Sequence, residues 1–210
     1  MLRSIFHINC TILSLSLLLS GCAAVYVPVS WDYSNEVQKL SRSDVLLVIL
    51  YDRYDPDRQT LRGTGTSFQE VLMPVEVKHH LGAYRKDTKL IYRNLYNEYT
   101  IAGLRELIAH EFAHHIWFSS MTPGQREQWE DHLARNPSPV QVMVRRAYGR
   151  PTDYAAEDFA YSVQSARPVD IKELAVIGLI TIKERDTLLA MEIPRQISHP
   201  SRLNSAAHPD

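Results

Sequence analysis

The chain has 210 residues, a formal net charge of −1 and 45% hydrophobic residues, which is ample for one domain with a core of its own. The charge is balanced and no basic run occurs, which argues against nucleic acid as a partner and against electrostatic attraction to a membrane. Its two cysteines, Cys10 and Cys22, both lie near the N-terminus, so no disulfide framework is expected in the folded part.

After Arg3 comes an apolar stretch at residues 11–19, of signal-peptide length. It closes on Leu19-Ser20-Gly21-Cys22, small residues leading to a cysteine. This box resembles that of bacterial lipoproteins, whose cysteine is lipidated and becomes the new N-terminus. The resemblance implies a signal peptide over 1–21 and a lipid on Cys22, followed by a short tether over 22–30. It also implies a place in the bacterial cell envelope, on the periplasmic face of the outer membrane. From Ser4 to Ser30 there is no Asp, Glu, Lys or Arg, long enough to span a bilayer uncleaved. The small residues at the processing position favour the cut.

The continuous apolar run at 45–51 predicts a buried strand, and residues 52–66, with Pro56, Gly63 and Gly65, predict a loop. A second strand is expected within 67–77, demoted to an edge or bulge by Pro74, and a third at 89–94. Residues 100–118 carry Ile101, Leu104, Ile108 and Phe112 at helical spacing. From there the chain reads as helix. Thr122-Pro123 opens one to about Arg135, and Pro139 begins another through Val140, Val142 and Met143 to Ala147. Further helices are expected from 152 or 153 to Ser165, over 169–177, and over 180–191, the last ended by Ile193-Pro194. The expected class is α+β, a small N-terminal sheet followed by a mainly helical C-terminal part. One domain spans 31–193, and 194–210 is a polar tail.

His110-Glu111-Phe112-Ala113-His114 is H-E-x-x-H inside the helix predicted over 100–118. Histidines four apart project from one helical face, so both imidazoles can reach one ion. A catalytic zinc keeps three protein ligands and an open position for water, and Glu111 stands where it can take a proton from that water. The third ligand has several candidates: His79, His80, His115, His132, Glu157 and other carboxylates. His115 points about 100° away around the helix and reads as a packing or hydrogen-bonding residue. His79 and His80 fall in a loop-prone stretch before Gly82. Glu157 lies between Ala156 and Ala160, small residues that let a second helix approach, although a first-turn acid such as Asp153 or Asp158 has the same look.

H-E-x-x-H followed by a separate helix bearing Glu resembles the gluzincin arrangement. Tyr148-Gly149-Arg150, then Glu157-Asp158-Phe159-Ala160, resembles the metallopeptidase domain of the anthrax lethal factor-like group. In those proteins a Tyr-Gly or Tyr-Ala step precedes Glu-x-Phe-Ala. The likeness covers residues 104–160, about a quarter of the chain. It implies a zincin-like fold with zinc held between helices by His110, His114 and Glu157. It also implies Glu111 as base and a tyrosine that stabilises the oxyanion, Tyr148, with Tyr154 as its rival one turn before Glu157. Two departures stand out. Tyr148 lies farther from the glutamate than is usual, and Tyr161 occupies a place where the family often has an acid. Asp158 is then the carboxylate left to orient a zinc-bound histidine. The function expected is a zinc-dependent peptidase, an endopeptidase if the 89–94 strand pairs with an extended substrate. The alternative is a zinc-binding envelope lipoprotein with a structural or partner-binding role and no proteolysis. An intact Glu111 argues against that alternative, because a structural site has no use for a general base.

Overall fold

The computed structural model describes residues 33–61, 69–71, 81–94, 99–148 and 150–198. The expected signal peptide, Cys22 with its tether, His79, His80 and residues 199–210 lie outside these. Among the described residues no helix is long and apolar enough to cross a membrane.

Two helices come first, α1 (Tyr33–Ser43) and α2 (Val45–Tyr54). The strand expected at 45–51 is therefore a helix. Asp44 caps it, its carboxylate accepting from the Leu47 N–H at 3.1 Å. Leu46, Leu47, Leu50 and Tyr51 are buried, a helical rather than alternating set. A short apolar run has no period to separate strand from buried helix, and here tertiary burial against a neighbouring helix decides.

A 3-10 turn at Gln59–Leu61 leads towards the sheet, whose strands are β1 (Gln69–Val71), β2 (Gly82–Arg85) and β3 (Leu90–Asn94). β1 covers part of the strand expected within 67–77. The order is β1-β3-β2, with β1 parallel and β2 antiparallel to the central β3. The α+β class holds, but helices precede the sheet. Asn94 N–H donates to Leu81 C=O at 2.7 Å, and Gly82 lies opposite Arg93. In an antiparallel ladder such pairs alternate, so the N–H and C=O of Gly82 and Tyr84 point away from β3, off the outer edge of β2.

Six helices follow: α3 (Ile101–Ser119), α4 (Pro123–Arg135), α5 (Pro139–Ala147), α6 (Pro151–Ser165), α7 (Pro168–Val176) and α8 (Ile182–Ser198). Thr100, Thr122 and Ser138 cap α3, α4 and α5 through their hydroxyls, and Pro stands at the start of α4 to α7. α8 runs through Pro194, where the sequence suggested an end, so the helix carries a proline there and gives up one i→i−4 bond.

Helix α3 is the axis of the domain. Every residue from Leu107 to Trp117 on it is buried, which a helix tolerates only when other elements enclose it. Phe112 stacks on Tyr51 of α2 with ring centroids 3.7 Å apart. Phe159 of α6 packs against Trp117 of α3 and edge-on to Trp129 of α4. The most extensive contact is between α3 and α6, where buried Ala109, Ala113, Ala156 and Ala160 supply small surfaces. β2 meets α3 at Gly82, where a Cβ would lie 2.5 Å from the Tyr92 carbonyl oxygen and 2.6 Å from Leu107 Cδ1.

Gly82→Val is therefore expected to destabilise the fold by about 1–3 kcal/mol, the usual cost of overpacking. Gly124→Ala, where no atom lies within 4 Å of the added carbon, should be neutral or stabilising. Urea unfolding of the two variants checks both.

Candidate metal centre

Helices α3 and α6 bring three side chains to one point. His110 Nε2 and His114 Nε2 are 3.3 Å apart. Glu157 Oε2 lies 3.3 Å from the first and Glu157 Oε1 3.4 Å from the second. The imidazole planes are nearly perpendicular, at 82°, on side chains four apart that share one helical face. Both histidines are buried and Glu157 is nearly so. Glu157 Oε2 makes no well-formed hydrogen bond among the described residues, so a buried carboxylate oxygen is left facing the imidazole nitrogens. An ion among them can take both nitrogens and a carboxylate oxygen, and this group can hold a metal. Burial pushes the Glu157 carboxyl up, but the two imidazoles outweigh it and hold it well below the usual carboxylate range. It is thus ionised, as a ligand must be.

Glu111 behaves in the opposite way. It is 6% exposed, and burial raises its carboxyl to about 7. His110 and the Tyr84 backbone amide pull it down, while Glu157 pushes it further up. Two glutamates beside one another are therefore prepared for different states, one as a fixed anion and one able to exchange a proton near neutral pH.

Of the two tyrosines, Tyr148 is the one at the site. It caps the C-terminus of α5, and its hydroxyl interacts with Glu157 and Tyr161. Burial, then the Glu157 charge, keeps that phenol protonated far above its ordinary range. Tyr154 instead lies under the Arg145 guanidinium, 5.2 Å from its ring centroid.

The expectation that Asp158 orients a ligand histidine fails. Asp158 accepts from Arg145 Nη1 at 2.8 Å, and both ligand Nδ1 atoms are buried with no hydrogen-bond partner among the described residues. Aromatic packing positions the rings instead. Tyr161 packs against His110 (4.4 Å, 67°) and Phe118 lies parallel to His114 (6.1 Å, 20°). The other two described histidines lie elsewhere. His132 is buried against Asp170, 3.0 Å away, and His115 hydrogen-bonds Tyr84. Tyr84 was missed in the sequence. Its signal is the turn-forming Lys86-Asp87-Thr88-Lys89 between it and the strand at 90–94, which marks a hairpin.

No protein-family model, curated protein or solved structure matches this chain.

The chain should bind one divalent ion per molecule. His110→Ala, His114→Ala and Glu157→Ala should each weaken it by more than about a hundredfold, beyond the usual cost of an outer-shell change. Asp158→Asn should stay near wild type. Calorimetric titration with the metal-free variants decides, and equal affinities for the Glu157 and Asp158 variants would move the third ligand elsewhere.

Proposed function

We propose that the ion is zinc and that the chain is a gluzincin-type, zincin-like zinc peptidase resembling the anthrax lethal factor-like metallopeptidase domain. The observation that carries this reading is the donor triangle with Glu111 beside it. A tetrahedral zinc with bonds of about 2.0–2.1 Å separates its ligands by about 3.3–3.4 Å. Here the two nitrogens are 3.3 Å apart, and each lies 3.3 or 3.4 Å from one of the two Glu157 oxygens. Two imidazole nitrogens and a carboxylate are also a typical catalytic zinc set.

When bound, zinc supplies Lewis acidity and a water that ionises near neutral pH. Glu111 takes the proton of the attacking water and delivers it to the leaving amine, and its carboxyl at about 7 suits both transfers. The Tyr148 hydroxyl, whose single proton is given to Glu157 or Tyr161 here, turns to donate it to the oxygen of the carbonyl under attack. The substrate cannot pair with the strand at 90–94, because β3 is central and flanked by β1 and β2. The outer edge of β2 takes that role. It pairs with no strand among the described residues, and its Tyr84 amide reaches Glu111. Attachment to the envelope through a lipid on Cys22 belongs to the same reading, and would place the peptide or protein substrates there.

The test compares wild type with Glu111→Gln for zinc content and peptide hydrolysis. Zinc should remain at about one per chain while hydrolysis falls by about a hundredfold or more. Tyr148→Phe should lower kcat with little change in KM, and Tyr154→Phe should do neither. A wild type that holds zinc and cleaves no peptide in a diverse library would favour the structural lipoprotein instead.

A further inference from the structure

His115 is the one polar residue in the buried stretch of α3 that the metal centre does not use, and it is 7% exposed. Its ring lies against Phe112 (5.4 Å, 14°), a place an apolar side chain would fill without any desolvation cost. What the imidazole adds is hydrogen bonding, to the Tyr54 backbone and to Tyr84. Its Nδ1 is 3.0 Å from the Tyr84 hydroxyl, and that hydroxyl is also 3.2 Å from Ser119 Oγ.

The contacts of β2 follow one stripe of α3. Leu107 meets Gly82, Glu111 meets the Tyr84 backbone amide, and His115 and Ser119 meet the Tyr84 hydroxyl. Residues 107, 111, 115 and 119 are four apart and therefore form one inclined row along the helix. The strand is short and, among the described residues, bonded to a strand on one side only, which is the kind of element that opens locally. Its side-chain anchor sits one helical turn beyond Glu111.

We infer that His115 and Tyr84 form a clamp that holds the outer edge of β2 against α3 at the level of Glu111, so that an extended peptide backbone meets an already ordered strand. This rests on the peptidase reading and deepens it, naming extended peptides as the substrate class and His115 as a positioning residue. Ordering the docking strand in advance removes that cost from binding, so the clamp acts on KM rather than on the chemical step.

The test uses the metal-loaded chain as wild type, Tyr84→Phe, His115→Leu and His115→Asn, the last retaining an acceptor near the Nδ1 position. Two quantities are measured: kcat and KM on an extended peptide, and amide exchange across residues 82–85. Tyr84→Phe and His115→Leu should raise KM about five- to tenfold, the range for one lost neutral hydrogen bond, with kcat within about twofold. Exchange across β2 should quicken in both, and His115→Asn should recover much of each loss. Unchanged KM and exchange would overturn the clamp, as would a fall in kcat at constant KM. If wild type cleaves nothing, the peptidase reading falls on its own, and exchange across 82–85 still decides whether the clamp exists.

Discussion

Glu157 is a carboxylate taken out of water and set between two imidazoles, and that arrangement is favourable only if positive charge answers it. The surrounding fold serves this one contact. α6 must approach α3 closely, so alanines stand at 156 and 160, one residue before and three after the glutamate, and Phe159 is wedged between Trp117 and Trp129 to set the approach. The next residue, Asp158, is a second buried acid, and Arg145 reaches in from α5 to pair with it. Removing either alanine for a larger residue would push the helices apart and open the triangle. The energetic demand of one buried anion thus connects the small residues, the aromatic wedge and the ion-binding geometry.

The same surroundings separate two acids that are chemically alike. Glu157 faces two nitrogen donors and is held as an anion. Glu111, on the neighbouring helix, is buried with less compensation and sits at about 7. That division lets one carboxylate hold a cation while the other exchanges protons. Among the described residues, orientation of the ligand rings comes from Tyr161 and Phe118 rather than from a carboxylate, so the imidazoles are held by packing.

Much of this was legible in the sequence because its cause is local. Histidines four apart share a face whatever surrounds them, and Thr122-Pro123 and Ser138-Pro139 carry their own capping chemistry. Glu157 became readable through its alanine neighbours and the resemblance that follows it. What was not legible depended on distant partners. Residues 45–51 are apolar enough for either strand or helix, and only burial of Leu46, Leu47, Leu50 and Tyr51 together settles the matter. Asp158 looked like an orienting acid until Arg145, thirteen residues earlier in the chain, claimed it. β3 read as a strand, but its central place in the sheet depends on pairing that no local pattern encodes.

The most direct measurement is a crystal structure of the zinc-soaked domain with anomalous scattering recorded across the zinc edge. One peak should appear about 2.0–2.1 Å from His110 Nε2, His114 Nε2 and a Glu157 oxygen, with the three side chains in the rotamers they already hold. A peak placed elsewhere, or ligands that must swing to new rotamers to meet the ion, would contradict a centre built in advance by the packing of α3 on α6.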